Sequence, residues 1–329
     1  MSQKALVLRT FLGQGHVFAY GVSSPLNARI AELSGHQVLY AGGYAAAAER
    51  LLPDMGILTQ TEMLQHMKYI ARAVSIPVMA DIDDGYGGAH NVRRTVEDII
   101  TETDVAGFHW EDQKYPKRCG HIAGKEVLSL QEAVGKLKLA IHTRDRLDSE
   151  RIVMARTDAF SAAGGTRNAM AGGDINEAIA RGRAYADAGA DLVWCEFPTA
   201  EKASAEMFAL GMKGNMPALG LGFNISPSFS WNASRDTLTY QDLIDLGYTF
   251  LFSTYPSIVA SALAAEAYAK RFMEGTPVEA LKALQQDASG TAAESIMWLV
   301  RVPAYQALEE QFSPHAAENL RTSEGFRAS

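Results

Sequence analysis

Pro77-Val78-Met79-Ala80-Asp81-Ile82-Asp83-Asp84, a helical pattern over 91–103, and then Gly107-Phe108-His109-Trp110-Glu111-Asp112 together decide the fold. Each flank is a short apolar run closed by acids, the form of a strand, and the stretch between them is amphipathic at helical spacing. The same alternation recurs along the chain. Strand-like runs lie at 16–22, 37–43, 77–81, 107–112, 151–156, 191–196, 218–224 and 249–254. Helical patterns such as 91–103, 131–144 and 175–188 lie between them, the last stopped by Gly189. Strand and helix alternating over roughly 250 residues predict an α/β chain folded as a (β/α)8 TIM-type barrel. A doubly wound sheet is the competing architecture. No Pro/Ser-rich linker divides the region.

The predicted organisation is a catalytic barrel over 1–255, C-terminal helices over 256–312 and a polar, mobile tail over 313–329. Helical segments are expected at 256–275, 277–286 and 293–312, the last broken near Pro303. They carry more apolar surface than a closed barrel needs. Burial against a neighbouring subunit, and so a homo-oligomer, is expected.

With 329 residues, 47% of them hydrophobic, the chain has enough apolar material for a large core. Two cysteines and no signal-like N-terminal run predict a reducing, cytoplasmic setting. No apolar stretch is long enough to span a bilayer. The net charge of -8 argues against nucleic acid as a partner, because binding phosphates needs a basic face. An anionic substrate stays open, since a small pocket can be locally positive.

Barrel enzymes build their sites where the strands end. The predicted ends carry Gly42-Gly43-Tyr44, Asp81 and Asp83, Glu111, Arg156-Thr157-Asp158, Glu196, Asn224-Ile225-Ser226 and Ser253-Thr254. Turn and cap chemistry explains any one of these, but the whole set only poorly. Strand residues two apart share a face, so Asp81 and Asp83 converge if the extended backbone persists to Asp83, with Asp84 turned elsewhere. Asp81, Asp83 and Glu111 are hard oxygen donors suited to Mg2+ or Mn2+. Asp54, after Pro53, is placed to join them directly or through water, a helix or turn cap being an equal alternative. The ion would chelate a 2-hydroxy or 2-oxo acid and stabilise an oxyanion at C2, and Arg156 adds a permanently charged donor to the same oxygens.

Lys117-Arg118-Cys119-Gly120-His121 sets a thiol between two cations and a histidine on a glycine-softened loop. Cationic neighbours lower a thiol pKa, so Cys119 is expected to exchange a proton near neutral pH. The same cations would draw in a substrate with several carboxylates. Asn224-Ile225-Ser226-Pro227-Ser228-Phe229-Ser230-Trp231, with Thr254, offers neutral donors for a second carboxylate. Taken alone, that segment reads as a turn bonding its own backbone. Cys195 is expected in the helix-facing layer as a packed small hydrophobe, and His109 as a hydrogen-bonded core histidine. Gly164-Gly165 and Gly172-Gly173 lack the residues of a phosphate loop and read as mobile-loop glycines.

Over residues 16 to 275 these motifs resemble the isocitrate lyase/phosphoenolpyruvate mutase superfamily, and more closely its lyase branch. Lys117-Arg118-Cys119-Gly120-His121 looks like the family's signature loop, Gly107 to Gln113 like its acidic strand end, and Ala155-Arg156-Thr157-Asp158-Ala159 like its arginine-bearing strand. The resemblance implies Mg2+-dependent C–C cleavage of a 2-hydroxy tricarboxylate, with isocitrate giving glyoxylate and succinate, as in the glyoxylate cycle. It gives Asp81, Asp83, Asp54 and Glu111 the metal site and its water network. Cys119 becomes the acid/base on a loop that closes over substrate, tuned by Lys117, Arg118 and His121. Arg156 binds the oxyanion, and Tyr40 is the candidate base or the group that orients it. Gly120 and Glu196 join the substrate contacts, and Asn224, Ser226, Ser228 and Thr254 take the succinate-side carboxylates. Gly42-Gly43-Tyr44 stands where Ser-Gly-Trp is expected on the glyoxylate side. A homotetramer is implied as well.

Ala80-Asp81-Ile82-Asp83-Asp84-Gly85-Tyr86-Gly87 and the Lys-Arg start of the loop look more like methylisocitrate lyase, the runner-up. A small pocket lined by Phe252 and Thr254 should disfavour the extra methyl. An oxaloacetate hydrolase or decarboxylase, or another 2-hydroxy diacid lyase, is a further alternative. The non-enzyme alternative is a silent barrel that senses a dicarboxylate.

Overall fold

A strand lies within or against each of the eight apolar runs. In chain order they are β1 (Val17–Gly21), β2 (Val38–Ala41), β3 (Val78–Asp81), β4 (Gly107–Glu111), β5 (Ile152–Thr157), β6 (Leu192–Cys195), β7 (Leu221–Asn224) and β8 (Tyr248–Ser253). The structure, a computed structural model, describes residues 1–162, 174–229, 231 and 238–325. Gly164, Gly165, Gly172, Gly173 and Ser230 lie outside the described residues. The chain divides into two compact units, Met1–Val259 and Ala260–Ser329.

In the first unit every strand pairs in parallel with the next, and β1 pairs with β8 through Val17↔Phe250 and Ala19↔Phe252. That last pairing closes the barrel and removes the doubly wound alternative, whose sheet would have two edges. Side-chain alternation sorts the core into two layers. Val38 and Tyr40, Ile152 and Met154, Leu192 and Trp194, and Phe250 and Phe252 pack inside the barrel. Leu8 and Leu12 of the helix Gln3–Gln14 join them, closing the end where the strands begin. The residues between, such as Leu39, Trp110, Val153 and Cys195, face the surrounding helices. Cys195 therefore sits in the layer expected for it.

The inward rows run on past the strands. Rows 79–81, 109–111, 154–156, 192–196, 222–224 and 250–254 deliver Asp81, Glu111, Arg156, Glu196, Asn224 and Thr254 to the mouth at the strands' carboxyl ends.

Several predicted boundaries shift. The 37–43 run stops at Ala41, because Gly42 caps the short helix Gly43–Ala48. Extended geometry does not persist to Asp83, whose φ is 47°, in the left-handed region. Asp81 Oδ1 accepts the Asp83 amide at 2.9 Å and holds that turn. The 293–312 segment splits into Ile296–Leu299 and Val302–Phe312 at Arg301, just ahead of Pro303. The residues expected as a polar, mobile tail include the helix Pro314–Thr322. Among the described residues, no helix is long and apolar enough to cross a membrane.

Candidate active site

Two aromatic residues and an acid form the floor of the mouth. Tyr40 Oη and His109 Nε2 are 2.7 Å apart, and the same nitrogen lies 3.2 Å from Asp81 Oδ1. His109 is thus the hydrogen-bonded core histidine expected, but it links two site residues. Burial, then the Asp81 charge, pushes the Tyr40 phenol well above its ordinary pKa. Of the two roles expected for Tyr40, base or orienting group, a raised pKa weighs against the base, because the phenol keeps its proton.

The acids meet around Lys117. Its Nζ is 2.5 Å from both Asp54 Oδ1 and Asp83 Oδ1. The Gly43 amide donates to Asp81 Oδ2 at 2.7 Å, and a Cβ on Gly43 would stand only 3.1 Å from that oxygen. Asp81 and Asp83 therefore converge, through the turn rather than through strand alternation. Asp84 faces elsewhere, accepting the Tyr86 amide at 2.9 Å with Lys136 as a cationic neighbour. Burial raises the Asp81 pKa, but His109 and Lys117 more than offset this and hold it well down. For Asp83, burial wins over Lys117 and the net shift is upward.

Glu111 and Arg156 pair across the β4–β5 register, with Nη1 3.0 Å from Oε2. Arg156 also holds Asp158, Nε to Oδ2 at 2.8 Å, and lies 4.5 Å above the Trp194 ring. Glu111 Oε1 is buried without a hydrogen-bond partner among the described residues. An orphaned carboxylate oxygen beside Asp81 and Asp83 is the donor chemistry of a hard divalent cation, so these residues fit Mg2+ or Mn2+. As they stand, no group of three or more metal-ligating side chains among the described residues is arranged around one point. Lys117 separates Asp54 from Asp83 instead.

The signature loop folds over this mouth. The Cys119 amide donates to Asp54 O at 2.9 Å, and His121 Nε2 lies 3.0 Å from Glu196 Oε1. Gly120 is seated so closely that a Cβ there would be 2.6 Å from Glu196 Oε1 and 2.7 Å from Arg156 Nη2. Burial raises the Glu196 pKa, but Arg156 and His121 outweigh it, so Glu196 is ionised. Cys119 corrects the sequence expectation. Burial, and then the Asp54 charge, push its thiol up to about 11. Lys117 is consumed by Asp54 and Asp83, while the Arg118 guanidinium lies near Gly124 and forms no ion pair among the described residues.

The ends of β7 and β8 complete the rim. Asn224 Nδ2 reaches Glu196 Oε1 at 3.5 Å, and Asn224 Oδ1 is buried with no partner among the described residues. Ser226 is buried and accepts the Ser228 amide at 3.1 Å, the local turn expected of this segment. Ser228 Oγ and Tyr255 Oη are 3.0 Å apart, and the Tyr255 ring packs 4.6 Å from that of Tyr44. Thr254 follows β8 directly. The structure thus gathers the predicted strand-end residues at one mouth and leaves the Arg118 guanidinium aside.

The family described as phosphoenolpyruvate phosphomutase matches residues 12–269. The chain belongs to the phosphoenolpyruvate mutase/isocitrate lyase superfamily. It is 40% identical to the isocitrate lyase of Haloferax volcanii over 99% of this chain and 91% of that protein. It is 31% identical to the 2-methylisocitrate lyase of Aeropyrum pernix over 86% of this chain and 85% of that protein. The solved complex of phosphonopyruvate hydrolase with oxalate and Mg++ superposes with a TM-score of 0.76. It is 26% identical, covering 95% of this chain and 99% of that one.

In this superfamily member, sequence reasoning missed Lys125 and gave Asp158 and Asp112 no role beyond their place in the strand-end motifs. Asp158 is the partner of Arg156 and was visible only as a strand-end acid. Asp112 is fully buried, accepting Thr157 Oγ1 at 2.8 Å, the Asp158 amide at 2.9 Å and Tyr185 Oη at 2.7 Å. Lys125 is buried against Asp158 at 2.8 Å. Its one signal was its place after Gly124, within reach of the signature loop.

Proposed function

We propose that this protein is a Mg2+-dependent carbon–carbon lyase that cleaves isocitrate to glyoxylate and succinate by a retro-aldol-type reaction. The observation that carries this reading is the seating of Gly120 against Arg156 and Glu196, which sets the Cys119 loop beside the arginine and over the acids. Near full-length similarity to an isocitrate lyase supports the substrate choice.

Asp81, Asp83 and Glu111, with Asp54 beside them, would hold Mg2+, which when bound supplies Lewis-acid polarisation of the substrate's oxygens. Arg156 binds the C2 oxygen and offsets the charge that grows there as the hydroxyl proton passes to the ionised Glu196 carboxylate, which faces the same guanidinium. Tyr40, fixed by His109, orients the reacting end. When the C–C bond breaks, its electron pair stays on the succinate fragment. The Cys119 thiol then gives its proton to that carbon, forming a C–H bond and leaving a thiolate. A thiol with a pKa of about 11 carries its proton at neutral pH, the form this role needs. Arg156 and His121 stand ready to stabilise the thiolate. Asn224, Ser226, Ser228 and Thr254 bind the succinate-side carboxylates, and Gly42, Gly43 and Tyr44 border the glyoxylate side.

Methylisocitrate is the second reading, favoured by the Asp81-Ile82-Asp83-Asp84-Gly85 stretch and by the Aeropyrum relative. Against it, Phe252 packs 4.5 Å from Tyr40 and 4.8 Å from Trp194 just below Thr254, which supports a pocket short of room for a methyl. Incubating the purified protein with Mg2+ and each substrate separates the readings. Glyoxylate from isocitrate with little pyruvate from 2-methylisocitrate is expected; the reverse preference transfers the assignment.

The proposed assembly is a homotetramer. Exposed Leu263, Met273, Trp298 and Phe312 on the C-terminal helices support association. A monomeric mass by light scattering would remove that part. The two free cysteines fit a reducing, cytoplasmic setting.

A further inference from the structure

We propose that Lys125 is a positioning residue, tying the signature loop to the arginine-bearing strand so that the Cys119 thiol and the Arg156 guanidinium are held in one frame. A lysine is almost never fully buried unless it is paired, and Lys125 is 2% exposed. Its ammonium has three donors, and the structure uses all three. They go to the Gly120 carbonyl, to Asp158 Oδ1 at 2.8 Å and to Ser161 Oγ at 2.7 Å. Two of these acceptors follow β5, and the third is the backbone of the loop itself.

Asp158 is shared. Its Oδ1 also accepts Arg156 Nη2 at 2.9 Å. A continuous path therefore runs from Gly120 O through Lys125 and Asp158 to Arg156, and Gly120 closes it by resting against Arg156 Nη2. The anchor is itself fixed from behind. Asp112 binds the Asp158 amide and the Thr157 hydroxyl, and is gripped in turn by Tyr185 and by Arg181 at 3.2 Å. The plainer role for Lys125 is to neutralise the buried Asp158. Arg156 shares that task, and neutralisation alone needs no bond to the loop carbonyl.

The link rests on the lyase reading only for its kinetic consequence, so the test leads with a measurement that needs no substrate. Iodoacetamide labelling with peptide mapping reports Cys119, while the buried Cys195 monitors the fold. Lys125→Met should speed Cys119 labelling at least about tenfold with Cys195 still protected. Lys125→Arg, which keeps charge and donors, should return it to within about threefold of the wild type. An unchanged Cys119 rate in Lys125→Met overturns the proposal. Should that variant expose Cys195, Ser161→Ala decides: about two- to fivefold faster Cys119 labelling supports the link, and no change overturns it. In turnover, kcat should fall on the order of 100-fold with KM within about threefold, because binding groups stay while the loop is misplaced. Fast labelling in Lys125→Met beside an inactive wild type would sink the lyase reading and leave the Lys125 link standing.

Discussion

His121 Nε2 lies 3.0 Å from Glu196 Oε1, so the loop that leaves β4 is anchored on the end of β6, two strands further round the barrel. The same carboxylate faces the positive field of Arg156, and these two partners keep it ionised despite full burial. Glu196→Gln keeps the size and removes the charge. It should lower kcat by about 10- to 100-fold while the far-UV spectrum stays native. Wild-type turnover in that variant would show that the loop does not depend on this anchor.

Cys119 is expected to behave as a buried thiol. With its pKa at about 11, the labelling rate in the substrate-free protein should climb roughly tenfold per pH unit from pH 7 to 10. A plateau near pH 7 would mean a thiolate and reverse the assigned role. Cys119→Ser should reduce cleavage on the order of 100- to 10,000-fold, measured as product release.

Gly120→Ala introduces a Cβ 2.6 Å from Glu196 Oε1 and 2.7 Å from Arg156 Nη2, both buried and ion-paired. Neither neighbour can give way without parting from its partner. Turnover should fall by about two orders of magnitude with little change in melting temperature. Full activity would show that the loop works from another position.

Chelation tests the acids. EDTA should abolish turnover, and Mg2+ or Mn2+ should restore it. Glu111→Gln, which also loses the 3.0 Å pair with Arg156, should raise the Mg2+ concentration for half-activity by about tenfold or more. Turnover that survives exhaustive chelation would remove the metal from the reading.

His66 should contribute to acid sensitivity. Burial, then the Arg50 charge, depress its pKa to about 4, and its Nε2 has no hydrogen-bond partner among the described residues. Above pH 6.5 the ring is neutral folded and unfolded, so it adds no pH dependence. As pH falls below that, only the unfolded chain takes the proton, and stability drops until about pH 4. The full loss is on the order of 3 kcal/mol. Urea unfolding at pH 7, 6, 5 and 4.5 should show this slope flattened in His66→Gln; identical slopes would discard the assignment.

The barrel was legible because strand cores are local. An apolar run such as 107–112 carries both its strand and the alternation that turns His109 and Glu111 inward. Asp81, Glu111, Arg156 and Glu196 could be placed at one mouth for the same reason, each standing on the inward row at a strand's end. Boundaries were less legible where a side chain replaces the ladder, as Asp81 does in turning the backbone at Asp83.

By itself, then, the sequence determined the eight strands, the face on which the acids and the arginine emerge, and the loop that carries the thiol. Those follow from periodicities of a few residues. Tertiary structure decided the state of the thiol and the identity of its partners. Lys117 and Arg118 directly precede Cys119 in the chain, yet one is spent on Asp54 and Asp83 and the other turns toward Gly124. Burial therefore raises the pKa that the sequence neighbours alone would lower. Asp158 is 33 positions from Lys125, and Asp112 is 73 from Tyr185. Contacts at that separation are made only when strands close into a barrel, and desolvation has no meaning until they do.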